Sequence, residues 1–281
     1  MSHSKPIKCT LDVGGQERKF LRIEPESPTG ELFIWFHGST QSASVTRRFT
    51  DNTFDRLAAR GTTVVYPEGI ARHWNDSRAQ LPEKTRELGT DDVAFARALV
   101  EAHSPTRVVA AGYSNGGQMV MRLLHDAYGL LDAAAIVAAN QPAPSNFLSS
   151  AEGFRPTPIL LMHGTADPMS PFGGGIAAPE TGHERGDVLS FAETADYYAG
   201  LNGATLREVR SYADSLEQAA VVATYEGAEG AETTASVEAW ALHGVGHVVP
   251  APKPVPSRYL GPSTRLLVAA KEIARFCGLE Y

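Results

Sequence analysis

Five short runs in this chain are apolar at nearly every position: residues 31–37, 62–66, 107–111, 133–139 and 159–163. A strand that alternates apolar and polar residues can leave one face in water. A strand that is apolar throughout has to be covered on both faces, which is the condition of a parallel sheet wrapped by helices. Stretches of helical periodicity separate the runs. Residues 91–103 carry Val93, Ala96, Leu99 and Val100 on one stripe behind a capping Thr90, and 118–125 resume the same spacing. Helices are also expected over 50–59, ended by Gly61, over 187–201 and over 263–276. Residues 7–13 and 18–23 form a hairpin about Gly14-Gly15, and 219–225 and 235–242 supply late strands. The order predicts one α/β domain over 1–281, a mostly parallel central sheet with helices on both faces. An irregular glycine-rich segment over about 169–186 is a candidate lid.

In such a sheet, chemistry gathers just beyond the carboxyl ends of the strands. There, Gly112-Tyr113-Ser114-Asn115-Gly116 follows one strand and opens a helix. Gly-x-Ser-x-Gly in that setting is a nucleophile elbow, a tight turn that lifts the serine hydroxyl above the sheet. Such a hydroxyl needs a histidine base and a carboxylate to orient that base, in the chain order Ser, Asp or Glu, His. Asp167 lies beyond the strand 159–163, in His163-Gly164-Thr165-Ala166-Asp167-Pro168, and is better placed than Asp132, Asp187 or Asp196. Four of the nine histidines precede Ser114. His125, His163 and His183 sit on a helix, at the start of the Asp167 loop and in the glycine-rich segment. His243 and His247 remain, and His247 is preferred because Gly246 turns it out after the last strand. The candidate triad is Ser114, Asp167 and His247. Two backbone N–H groups should meet the oxyanion, one from Asn115 and one from the loop after residues 31–37, where Ser39 is preferred to Thr40. Trp74, on the same edge, is either a pocket wall or a core side chain.

Taken together these pieces resemble the polyhydroxybutyrate depolymerase and feruloyl esterase-like branch of the α/β-hydrolases. The similar segments are Phe36-His37-Gly38-Ser39, Tyr66-Pro67-Glu68-Gly69 with Trp74-Asn75, and Thr90-Asp91-Asp92-Val93-Ala94-Phe95. They continue through the serine motif to the Asp167 loop and Gly246-His247, so the likeness spans about residues 31–276. The resemblance implies the α/β-hydrolase fold and an esterase that needs no cofactor, with Ser114, Asp167 and His247 as its triad. Asp91 and Asp92 fall on a segment read as structural. Where the family often has a tryptophan after the catalytic histidine, this chain has Val248-Val249-Pro250. Val249, with Trp74 and Thr40, is a candidate substrate contact. That departure, and a start without a secretion signal, favour a small soluble ester over a polymer.

Other partners are disfavoured. The formal net charge is −7 with no basic run, which argues against nucleic acid and anionic membranes, and no apolar stretch is long enough to span a bilayer. A cytoplasmic location is expected. Cys9 and Cys277 stand near opposite ends of the chain and are either free thiols or a disulfide tying the termini.

Overall fold

A computed structural model describes residues 5–177, 184–214, 218–228, 230, 233–253 and 258–281. The first strands, β1 (Ile7–Val13) and β2 (Gln16–Ile23), pair as a hairpin about Gly14 and Gly15, both at positive φ. Then follow β3 (Glu31–Phe36), α1 (Ala43–Phe49), a 3-10 helix (Thr53–Arg60), β4 (Thr63–Pro67), α2 (Lys84–Glu87) and α3 (Asp92–His103). The central segment is β5 (Arg107–Tyr113), α4 (Asn115–Asp126), β6 (Ala133–Val137) and β7 (Ile159–Gly164). A two-residue ladder, β8 (Gly175–Ile176) with β9 (Asp187–Val188), precedes α5 (Phe191–Leu201), β10 (Ala204–Ala213), β11 (Ala219–Gly227), β12 (Val237–Leu242) and α6 (Ala269–Phe276).

Ten strands form one sheet in the order β1-β2-β4-β3-β5-β6-β7-β12-β11-β10. The six from β4 to β12 run parallel, and antiparallel pairs close each end. Successive side chains alternate between two cores. Phe33, Trp35, Val64, Val109, Leu160 and Met162 face one side, against Phe54, Leu57, Ile273 and Ala274. Leu32, Ile34, Phe36, Val65, Val108 and Leu161 face the other, against Phe95, Leu99, Met119, Leu123 and Tyr198. This two-sided burial is why the central strands are apolar at nearly every position. No helix among the described residues is long and apolar enough to cross a membrane.

Several local expectations need correction. The helix over 50–59 is the 3-10 helix Thr53–Arg60, and α1, capped by Ser42, lies ahead of it. Asp91 rather than Thr90 caps α3, accepting from the Ala94 N–H at 2.8 Å. The helix over 187–201 begins only at Phe191, where Ser190 and Glu193 form a capping box. The last helix is limited to Ala269–Phe276. Strand β10 was not anticipated: nearly all its side chains are exposed on both faces, so it carries no apolar signal. The termini are not tied by a disulfide. Both cysteines are free, and they pack on opposite faces of the sheet.

The resemblance segment at α3 has a structural role. Buried Arg18 donates to Asp92 at 2.5 Å and lies over the Phe95 ring, while Asp92 also accepts from the Asn75 N–H at 2.7 Å. Burial pushes the Asp92 carboxyl up, against the pull of Arg18.

Candidate active site

Ser114 sits at the junction of β5 and α4 with φ 56 and ψ −120, a left-handed conformation disfavoured for a residue with a side chain. The turn closes only because its neighbours lack side chains. A Cβ on Gly112 would lie 2.2 Å from the Gly116 oxygen, and one on Gly116 would lie 2.1 Å from the Phe36 oxygen. Strain of this kind persists where the surroundings enforce it. Here the enforcement comes from β5, bonded on one side to β3 and on the other to β6.

Three elements bring the predicted residues together. His247, in the loop after β12, has Nε2 2.8 Å from Ser114 Oγ. Its Nδ1 is 2.7 Å from Asp167 Oδ2, in the loop after β7. The carboxylate can only accept, so Nδ1 carries the proton and Nε2 is left to accept from the serine hydroxyl. Asp167 Oδ1 accepts the N–H groups of Met169 and Ser170, both at 2.8 Å. Burial would raise the Asp167 pKa. The charge and hydrogen bond of His247, with His163 and the Ser170 N–H, outweigh it and hold the group below the usual carboxylate value. His163 is wholly buried, lies 3.4 Å from Asp167 Oδ2 and donates Nε2–H to the Ser170 oxygen at 2.9 Å. Burial lowers its pKa, against the pull of Asp167. His243 is exposed and away from this cluster, and His183 lies outside the described residues.

The loop after β3 is held by side chains. His37 donates Nδ1–H to the Gly38 oxygen at 2.8 Å and accepts the Gly69 N–H on Nε2 at 2.9 Å. The Thr40 N–H is bound to the Arg72 oxygen at 2.9 Å, which removes the second-choice oxyanion donor. The Ser39 N–H has no such partner among the described residues. The Asn115 N–H opens α4, where helix geometry supplies no intrahelical acceptor. The Asn115 side chain is committed elsewhere, to the Trp74 backbone N–H and oxygen and to Asp76.

His37 gives this loop a pH sensitivity. Burial lowers its pKa from 6.5 to about 4. In the unfolded chain the ring takes up a proton near pH 6.5; in the folded chain it stays neutral down to about 4. Its contribution to stability is therefore complete above 6.5 and is lost as the pH falls toward 4. Between neutral pH and about pH 5 the loss is about 2 kcal/mol. In His37→Gln, whose amide oxygen can accept from Gly69, the urea-unfolding free energy is expected to fall by about 2 kcal/mol less than in wild type over that interval. Equal falls would show that His37 does not titrate as described.

A cavity of about 340 Å³ opens beside Ser114 and His247. Ser39, Thr40, Gln118, Met169, Ser170, Ala177 and two arginines, Arg78 and Arg185, are among its lining residues. Thr40 thus reaches the cavity. The other two candidate contacts do not. Trp74 is fully buried between the rings of Phe36 and His37 and donates Nε1–H to the His37 oxygen at 2.9 Å, so it supports the loop from behind. Val249 is buried in the core beneath the sheet's other face. Of the candidate lid, Met169, Ser170, Ala177 and Arg185 border the cavity, and 178–183 lie outside the described residues. A larger groove, lined by Arg210, Trp240 and Arg275, holds none of these groups.

Sequence reasoning passed over Tyr113, Arg78 and Arg185. The Tyr113 hydroxyl donates to the His247 oxygen at 2.7 Å, so the residue before Ser114 also holds the histidine loop. Nothing in the motif signals that contact, because the partners are 134 positions apart.

No family model matches the chain. A curated protein of Nocardia uniformis subsp. tsuyamanensis, named "Putative esterase NocK", is 29% identical over 257 residues, covering 85% of this chain and 72% of that protein. Among solved structures, esterase 2 of Thermogutta terrifontis phosphoramylated by tabun is similar with a TM-score of 0.55 and 14% identity, covering 99% of this chain and 94% of that one. A "predicted CIB-like hydrolase" from Thermoplasma acidophilum is similar with a TM-score of 0.50 and 18% identity, over 89% and 92% of the two chains. The sheet order, the elbow and these likenesses establish that the chain has the α/β-hydrolase fold.

Proposed function

We propose that this protein is a serine esterase that cleaves small carboxylic esters through Ser114, His247 and Asp167. The observation that carries the reading is the run of hydrogen bonds from Ser114 Oγ to His247 Nε2 and from His247 Nδ1 to Asp167, at 2.8 and 2.7 Å. The curated relative named an esterase supports it.

In this reading, Ser114 Oγ attacks the ester carbonyl as its proton passes to His247 Nε2. The carbonyl oxygen becomes an oxyanion, met by the Ser39 and Asn115 N–H groups; losing one such donor typically costs about 10²–10³ in rate. His247 returns the proton to the leaving alcohol oxygen as the C–O bond breaks. Water, deprotonated by the same nitrogen, then releases the acid from Ser114. Asp167 stabilises the transient imidazolium without taking its proton. The cavity of about 340 Å³ favours a compact ester, of the feruloyl or acetyl type or a short hydroxyalkanoate oligomer, over a polymer chain.

A fluorophosphonate probe tests the assignment directly. It should add one label per chain, on the peptide containing Ser114, and abolish hydrolysis of 4-nitrophenyl acetate in proportion to labelling. A protein that neither labels nor hydrolyses would be a binding protein that keeps the fold.

A further inference from the structure

The walls of the cavity carry an uneven charge that the reaction itself does not require. Among the described residues lining it are two guanidinium groups, Arg78 and Arg185, and no carboxylate. Asp167 stands behind His247, and the counter-charges of the arginines are also set back. Buried Asp76 takes Arg78 in a two-pronged pair, at 3.0 Å from Nε and 2.6 Å from Nη2. Glu83 takes Arg185 through Nη2. Arg86 adds a third cation behind the wall, donating to the backbone oxygens of Asp76 and Arg78. Three guanidiniums thus face two carboxylates, an excess of positive charge in a protein whose formal net charge is −7. His73, 3.3 Å from Glu83, brings no negative charge to offset it, and burial lowers its pKa.

Arg185 also has unspent donors. Its Nη1 rests on a neutral acceptor, Ser39 Oγ, at 2.7 Å, and its Nε–H has no partner among the described residues. Arg78 Nη1 likewise makes no hydrogen bond among the described residues. The Arg185 Nε–H is closed off as well as unpaired among the described residues, so the donors open to an acceptor in the cavity are those of Arg78 Nη1 and the second hydrogen of Arg185 Nη1. Burial and the neighbouring charge of Arg78 both lower the pKa of Arg185, as expected of a cation short of negative partners.

We infer that the ester cleaved at Ser114 bears a carboxylate, which Arg185, with Arg78 beside it, recognises at the cavity wall next to the Ser39 loop. The inference rests on the esterase reading and names its substrate class: half-esters of dicarboxylic acids, or acyl esters of hydroxy acids. Arg185 reaches Ser39, whose N–H is the proposed oxyanion donor, so the carboxylate lies a short chain's length from the scissile carbonyl. A charge-assisted bond to a guanidinium fixes the substrate's orientation as well as its affinity.

Two matched pairs of esters test the inference and separate the two placements of the charge. Mono-4-nitrophenyl adipate against 4-nitrophenyl hexanoate puts the carboxylate on the acyl side. 4-Acetoxybenzoate against its methyl ester puts it on the alcohol side. With each kcat/KM divided by the spontaneous hydrolysis rate, wild type should favour the anionic member of one pair by about 10- to 100-fold. Arg185→Gln should bring that ratio close to one, and Arg185→Lys should keep part of it. The ratio is the readout because any disturbance of the Ser39 loop affects both members alike. No anionic preference in either pair, or a preference unchanged in Arg185→Gln, overturns the inference. If wild type hydrolyses neither these four nor 4-nitrophenyl acetate, the esterase reading fails, and binding then decides whether the arginines take a carboxylate. Monoethyl adipate should then bind Ser114→Ala protein in calorimetry at least 10-fold more tightly than diethyl adipate, and lose that margin when Arg185→Gln is added. Equal binding of the two overturns it.

Discussion

Replacing Ser114 by alanine is expected to lower kcat for 4-nitrophenyl acetate by about 10⁵–10⁶-fold, with the unfolding midpoint close to wild type. In the proposed mechanism the loss is large because the whole relay serves to move one proton. With Oγ gone, His247 Nε2 has nothing to deprotonate and no acyl-enzyme can form. The backbone donors remain, so a small residual rate over water persists. The strained turn also remains, since Gly112 and Gly116, rather than the serine side chain, make room for it. Turnover within tenfold of wild type by pure variant protein would remove Ser114 as nucleophile.

Asp167→Asn is expected to cost about 10⁴ in kcat while leaving the loop in place. Asparagine keeps an oxygen to accept the Met169 and Ser170 N–H groups, so the turn after β7 survives. Its amide, however, presents a donor to His247 Nδ1. That stabilises the tautomer with the proton on Nε2, which then points a hydrogen at Ser114 Oγ instead of accepting one. The loss should fall on kcat more than on KM, because the cavity walls are unchanged. A variant with nearly full activity would show that Asp167 does not orient His247.

The central sheet could be read from the sequence because its strands are buried on both faces and so are apolar nearly throughout. The three residues now found in hydrogen-bond succession were legible by a different route. Each follows a strand, and their chain order suits the fold. What escaped was information held in contacts between distant segments. Trp74 stands on the right edge of the sheet, but only the path of the loop around it decides that its ring faces inward. Arg185 meets Ser39 across 146 positions, and Tyr113 meets His247 across 134, with no periodicity to announce either. Thr90 and Asp91 are both competent caps, and side-chain geometry alone chose the second. Strand β10 lacks a buried face, so pairing with β11, rather than its own composition, makes it a strand.

The strand order also sets where the chain can breathe. β5, which leads into Ser114, has four strands on one side and five on the other. Its backbone bonds to β3 and β6 can open only when the middle of the sheet opens, whereas β10 has a free edge and can peel away alone. The turn at Ser114 is therefore anchored in the most cooperative part of the molecule. Partial unfolding can begin at β10 while Ser114 keeps its place, and its hydroxyl leaves its geometry only with the collapse of the sheet as a unit.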